Sequence, residues 1–403
     1  MRYFVSAGDH SGDMHGATLV REIRKLDPGA EFYGMGGPLL AGAGVKISFD
    51  PTRYSTIGFL EAAGQYFRFR RLLRVFTRLL TENRPDVLLW IDFGGFNLAL
   101  AEQARKLSIP VVCLFAPSAW AYGKKRAVRM RNCVSHLAAV MGFEADFFRS
   151  FGLKVTYTGH PLLDRVEGVL PREQWRKTRG IGDEETVVVL MPGSRRQEVE
   201  ALLPVMLAAA KKLAGEDPEA GKKIRFFLPL APTIEKWRLN ALLANFPEVT
   251  VVNEDIYPLL AGADLGVITS GTATLEAALL GLPAVVVYRL SPITVFIFRR
   301  WLRNKEEKNR ELLVALPNLI AGRKVIPELI QEDLTPENLK NEMAKLLWDE
   351  KARAEIKAEY TKLQGQLGPP GVMARVARIV MAEAQTRPSP KAGQDTQENE
   401  HAQ

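Results

Sequence analysis

Apolar runs alternating with helical patterns place this chain in the α/β class, as two doubly wound domains built on parallel sheets. Three observations carry that reading. Short β-branched or leucine-rich runs recur along the chain, at Tyr3 to Ser6, Val87 to Ile91, Val111 to Phe115, His136 to Val140, Val187 to Leu190, Arg225 to Leu228, Val249 to Val252, Leu265 to Thr269 and Ala284 to Tyr288. Helical patterns separate them, so successive strands lie parallel with helices covering both faces of each sheet. The rhythm breaks once, in a Pro-containing charged stretch between Gly159 and Gly182. The boundary is placed there, giving domains over residues 1–165 and 166–385 and a solvated tail over residues 386–403 that lacks apolar periodicity.

Bulk properties agree. At 403 residues the chain is long for one domain and suits two, and 47% hydrophobic with 25% charged residues is the composition of a globular protein. Its two cysteines, Cys113 and Cys133, have no metal-ligand spacing, so neither a disulfide framework nor a metal site is expected, and a reducing cytoplasm fits. The apolar run at the N-terminus is too short for a signal peptide and reads as a first buried strand. No run reaches the ~20 apolar residues of a membrane span. A net charge of +8 points to anionic partners, and no nucleic-acid-binding motif accompanies it, so no nucleic acid is expected.

The first strand opens into Gly8-Asp9-His10-Ser11-Gly12-Asp13-Met14-His15-Gly16, where glycines permit a tight turn and close approach to a ligand. The spacing is not that of the dinucleotide fingerprint. Packing accounts for Gly12 and Gly16 as well as function does; two acids and two histidines crowded at a strand end favour function. Asp92 follows the second strong run, heading Asp92-Phe93-Gly94-Gly95-Phe96-Asn97, as either a helix N-cap or a catalytic carboxylate. Trp120 and Tyr122, before Lys124, Lys125 and Arg126, join aromatic faces to cations, which suits a sugar ring or nucleobase beside a phosphate; core packing at a helix start is the alternative for the two rings but leaves the three cations unexplained.

In the second half, Pro192-Gly193-Ser194-Arg195-Arg196 closes a strand and opens a helix. Backbone N–H groups of Gly193 and Ser194 and the Arg195 guanidinium would meet a diphosphate, whereas a plain N-cap accounts for Ser194 alone. Ser270-Gly271-Thr272-Ala273-Thr274-Leu275-Glu276 repeats the phosphate element and adds Glu276 one turn into the helix, where a carboxylate can accept both hydroxyls of a ribose. A first-turn dipole partner is the alternative reading of Glu276. Two segments, Tyr66 to Leu80 and Val295 to Arg303, interleave arginines with large apolar side chains, a pattern shared by surface helices and helices lying on anionic membranes.

Taken in order, Gly8 to Asp13, Pro117 to Ala121, Pro192 to Glu200, Ser270 to Glu276 and Leu316 to Arg323 resemble the lipid-A-disaccharide synthase family. The resemblance implies the GT-B architecture, two Rossmann-like doubly wound domains facing a cleft, and a metal-independent inverting hexosyl transfer without a cofactor. It implies a UDP-linked diacylglucosamine donor and a diacylglucosamine 1-phosphate acceptor reacting through its 6-hydroxyl. The donor would meet Gly193, Ser194, Arg195, Ser270, Gly271, Thr272, Glu276 and Asn318; the acceptor would meet Ser11 and Trp120. The enzyme would work in the cytoplasm, peripherally on the anionic inner membrane, with a homodimer left open. In one place the chain departs from the pattern: the family usually reads Ile-Asp-x-Pro-Asp-Phe-Asn where this chain has Ile91 to Asn97, so Gly95 replaces a second carboxylate. Asp92, Asp9 and Asp13 are then the candidate bases, with Asp92 foremost. An epimerase acting on a UDP-sugar and a non-catalytic nucleotide-sugar-binding protein are the competing readings.

Overall fold

The computed structural model describes residues 1–51, 62–117, 124–215, 223–230, 239, 242–253, 255–289 and 313–386. They group into two compact units, one of Met1–Asp164 with the chain from Leu367 onward, the other of Arg165–Gln366.

The first unit is built on a seven-stranded parallel sheet: β1 (Arg2–Ala7), β2 (Glu31–Met35), β3 (Lys46–Phe49), β4 (Val87–Ile91), β5 (Val111–Leu114), β6 (His136–Ala139) and β7 (Val155–Tyr157), in the spatial order β3-β2-β1-β4-β5-β6-β7. Val87-Leu88-Leu89-Trp90-Ile91 is buried at every position, as a central parallel strand covered on both faces must be. Leu88 and Trp90 share a core with Phe76, Leu80, Phe96 and Met130, drawn from the helices Ala62–Asn83, Gly94–Lys106 and Lys124–Cys133. The helix Val372–Gln385 packs on the helix His10–Leu26 and on β4 to β6. It therefore belongs to the first unit, although the sequence reading extends the second domain to residue 385. Its return is held chemically: the Asp164 carboxylate accepts from the backbone N–H groups of Gly371, Val372 and Met373 at 2.6, 3.1 and 3.1 Å, filling the open N-terminus of that helix.

The second unit has six parallel strands: β8 (Thr186–Met191), β9 (Ile224–Pro229), β10 (Val249–Val252), β11 (Leu265–Thr269), β12 (Ala284–Tyr288) and β13 (Glu328–Ile330), in the order β10-β9-β8-β11-β12-β13. Alternate residues of β8 face different cores. Val188 and Leu190 join the helices Arg196–Gly215 and Pro336–Trp348, and Val187 and Val189 join Trp175, Leu259 and Leu260.

In both sheets the strand order reverses at one place, between β1 and β4 in the first and between β8 and β11 in the second. A crevice opens at the carboxyl ends of the strands where the crossovers part in opposite directions, which is where doubly wound folds bind ligands.

Candidate functional site

Four of the loops singled out in the sequence follow those four strands. At the first reversal, Asp9 caps the helix His10–Leu26 and accepts from Gly12 N at 2.7 Å, with Ser11 half-buried in the first turn. Gly8 lies under the ring of Phe93, where a Cβ would come within 2.0 Å, so the Phe93 ring can sit there only because residue 8 has no side chain.

Asp13 is committed elsewhere. It is fully buried, and its two carboxylate oxygens accept from Gly37 N, Leu39 N and Leu40 N at 2.7, 2.9 and 3.0 Å, at the start of the short helix Pro38–Gly42. Three backbone donors satisfy this anion and hold it away from solvent. Asp13, a candidate base from sequence, is thus engaged as the cap of that short helix.

Asp92 is held in an unusual conformation. Its φ of 49° and that of Phe93, 53°, both lie in the left-handed region, costly for residues with a Cβ. Side-chain bonds to the Asp92 carbonyl hold the bend: Trp90 Nε1 donates to it at 2.7 Å and Asn97 Nδ2 at 2.8 Å. Asn97 is itself fixed by Ser6, whose hydroxyl donates to Asn97 Oδ1 at 2.5 Å and whose carbonyl accepts from Nδ2 at 3.1 Å. Burial pushes the Asp92 carboxyl up to about 6, the charge of Asp9 adds to that, and a bond from Phe93 N opposes it. A carboxylate with that poise takes a proton near neutral pH. The supporting roles of Trp90 and Asn97 are invisible in sequence, since an indole in a strand reads as core. Gly95 is exposed with nothing within 4 Å of where a Cβ would stand.

At the second reversal, Gly193 adopts a φ of 116° and its missing Cβ would collide with Glu198 Oε2 at 2.3 Å. Glu198 reaches back over this loop, accepting from Arg195 N at 3.2 Å and from the Arg195 guanidinium at 2.9 Å. Arg195 is thereby tethered while its side chain stays 67% exposed, and Ser194 is exposed beside it. Gly271 and Thr272 are exposed at the start of the helix Thr272–Leu279. Ser270 Oγ donates to Val314 O at 2.7 Å; buried Thr274 accepts from Leu316 N at 3.3 Å. Glu276 is 7% exposed and accepts from Tyr257 Oη at 2.7 Å. Burial raises its carboxyl, opposed by the Tyr257 bond and the Arg165 charge.

Asn318 does not line this loop. It is fully buried, its Nδ2 donating to Ile326 O and Glu328 Oε1 and its Oδ1 accepting from Val325 N and Ile326 N, at 2.7 to 3.0 Å. Those four bonds exhaust an amide. With Glu328, which also binds Val314 N and Ala315 N, Asn318 buttresses the segment on which Ser270 and Thr274 rest.

Trp120, Tyr122, the segment Val295 to Arg303 and the tail beyond Thr386 lie outside the described residues. In the helix Ala62–Asn83 side chains are described from Phe69 onward, so Phe67 and Arg68 lie outside as well. Phe69 packs edge-on to Phe96 at 5.3 Å, and Phe76 is fully buried against Phe4 and Phe96. These two rings face the core, not an external surface. Among the described residues no group of His, Cys, Asp and Glu could hold a metal ion, and no helix is long and apolar enough to cross a membrane.

Two doubly wound units with polar loops at their strand-order reversals define a GT-B protein, the architecture of many glycosyltransferases and sugar epimerases. Solved structures share it: a putative UDP-N-acetylglucosamine 2-epimerase from Listeria monocytogenes matches with a TM-score of 0.61 at 13% identity, covering 94% of both chains. The calicheamicin glycosyltransferase matches with a TM-score of 0.60 at 16% identity, covering 96% of this chain and 99% of its own. Likeness at such identities reports fold alone. The lipid-A-disaccharide synthetase family model matches residues 3–379, and the chain belongs to that family. It is 35% identical to the lipid-A-disaccharide synthase of Syntrophotalea carbinolica over 94% of both chains, and 37% identical to that of Syntrophus aciditrophicus over 94% of this chain and 96% of the relative.

Proposed function

We propose that this enzyme condenses UDP-2,3-diacylglucosamine with 2,3-diacylglucosamine 1-phosphate, forming the lipid A disaccharide and releasing UDP. The acceptor 6-hydroxyl oxygen attacks the anomeric carbon, its proton passes to Asp92, and the bond to the diphosphate breaks with inversion. Asp92 carries the reading: it directly follows a central strand at the sheet reversal, and its carboxyl is raised to about 6. Asp9 supplies the neighbouring charge, and Ser11 and Trp120 take the acceptor. On the donor side, N–H groups of Gly193, Ser194, Gly271 and Thr272 with the Arg195 guanidinium would stabilise the departing diphosphate, and Glu276 would take the ribose. Ser270 shapes that loop through its bond to Val314.

Peripheral binding to an anionic membrane is part of this proposal. Arg70, Arg71 and Arg74 are exposed on one helix, and Lys124, Lys125 and Arg126 on another, the two helices flanking Gly94–Lys106. With Phe69 and Phe76 turned inward, attraction to head groups would dominate, so vesicle binding should require anionic lipid and fall with salt.

Incubating purified protein with a panel of UDP-sugars and acylated acceptors, then measuring product mass, tests the reaction. UDP released only when a lipid acceptor is present supports a transferase; release without acceptor, or none with it, favours an epimerase or a binding protein.

A further inference from the structure

Tyr257 opens the helix Ile256–Gly262, which follows β10. It is 2% exposed, yet its hydroxyl reaches across to a different helix and donates to Glu276 Oε1 at 2.7 Å. The Arg165 guanidinium lies over its ring, 4.6 Å from the centroid. Among the described residues Tyr257 is the one hydrogen-bond partner of the Glu276 carboxylate. A carboxylate has about four lone-pair positions, and one bond from a rigid ring fixes its rotation about the last torsion while leaving the second oxygen's acceptors unspent. Burial disfavours the anion at Glu276, whereas the Tyr257 bond and the Arg165 charge favour it.

We propose that Tyr257 is a positioning residue for nucleotide recognition: it locks the Glu276 carboxylate in the rotation that accepts the ribose diol of a uridine diphosphate. The inference rests on the assignment of Glu276 to the ribose. A phenol suits the task because it donates a strong bond to an anion without introducing a charge of its own, and its hydroxyl, which burial holds protonated, donates throughout the working pH range. Tyr257 makes no contact with the ligand in this scheme; it acts through Glu276.

The experiment compares calorimetric affinities of the full chain for UDP and for 2′,3′-dideoxy-UDP, in wild type, Tyr257→Phe and Glu276→Gln. Phenylalanine keeps the ring under Arg165 and removes only the hydroxyl, and thermal unfolding of each variant reports whether the fold persists. Wild type should prefer UDP by about tenfold or more, the scale of a hydrogen bond to a charged group. Tyr257→Phe should shrink that preference to within about threefold while leaving affinity for the dideoxy analogue unchanged. A wild-type preference retained by Tyr257→Phe but lost in Glu276→Gln overturns the role of Tyr257 and leaves Glu276 in place. Equal affinities in the wild-type protein overturn both. Equal weakening of both ligands by Tyr257→Phe means that the tyrosine merely packs the domain, which also overturns the proposal.

Discussion

The side-chain amide of Asn97 donates to the Asp92 carbonyl oxygen at 2.8 Å, tying the first turn of a helix to a residue held at a positive φ. The bond fixes the direction in which the Asp92 carboxylate leaves the end of β4, because Asn97 is anchored in turn on Ser6 of β1.

Removing that anchor should harm both fold and chemistry. Asn97→Ala leaves buried groups of Ser6 and Asp92 short of a partner, at about 1–3 kcal/mol. Urea unfolding should show that loss. Activity should fall by more than the folded fraction explains, whereas an Asn97→Ala protein with an unchanged transfer rate would show that the bend does not position the base.

The raised carboxyl of Asp92 makes two opposite demands. As a base it must be ionised, so kcat/KM should rise with pH through a limb near the value of about 6 and fall tenfold per unit below it. Asp9→Asn should move the limb lower, though only in part, because burial is the larger cause. For stability the sign reverses. The folded state holds this proton more tightly than the unfolded chain, so stability falls as pH rises between the ordinary carboxylate value and about 6. Asp92→Asn, which also tolerates a left-handed backbone, should therefore melt higher than wild type at pH 8 and alike at pH 4. Melting curves at the two pH values check this.

Arg195 and Asn318 should separate binding from folding. Arg195→Ala removes an exposed guanidinium tethered by Glu198 and should weaken UDP binding by ~1.5–3 kcal/mol, with little change in melting. Asn318→Ala empties four buried hydrogen bonds and should destabilise the fold strongly. Calorimetry and thermal melting on both proteins test the division; unchanged UDP affinity in folded Arg195→Ala removes the phosphate assignment.

Gly95 offers a gain-of-function test. The space beside it is open and it lies in the first turn of the helix Gly94–Lys106, where a carboxylate meets a favourable dipole. Gly95→Asp should fold as stably as wild type. An increased transfer rate would show that a second acid at this position helps the chemistry, and an unchanged rate that Asp92 suffices.

Much of this was legible in the sequence because central parallel strands are apolar throughout: the runs at Val87 to Ile91, Val187 to Leu190 and Leu265 to Thr269 all became strands. The strands β2, β3, β7 and β13 escape the pattern because each breaks its apolar run with a polar residue or glycine, as in Lys46-Ile47-Ser48-Phe49. Loop residues at strand ends were legible as a set, since glycine beside acid or arginine has few bland explanations. Their individual jobs were not. Asp9 and Asp13 look equivalent on paper, yet a helix places residues four apart one turn on, and that turn carries Asp13 inward onto the backbone of Gly37 to Leu40. The buttressing job of Asn318 is hidden for the same reason: its partners at Val325, Ile326 and Glu328 come together only when the chain folds back.

The most direct test of the account is the single-turnover rate of disaccharide formation by Asp92→Asn, measured beside Asp9→Asn with folding and UDP affinity of each verified. The account predicts a loss of ~10²–10⁴-fold for Asp92→Asn, the range of a general base, and a smaller loss for Asp9→Asn. A near-normal rate for Asp92→Asn would contradict it.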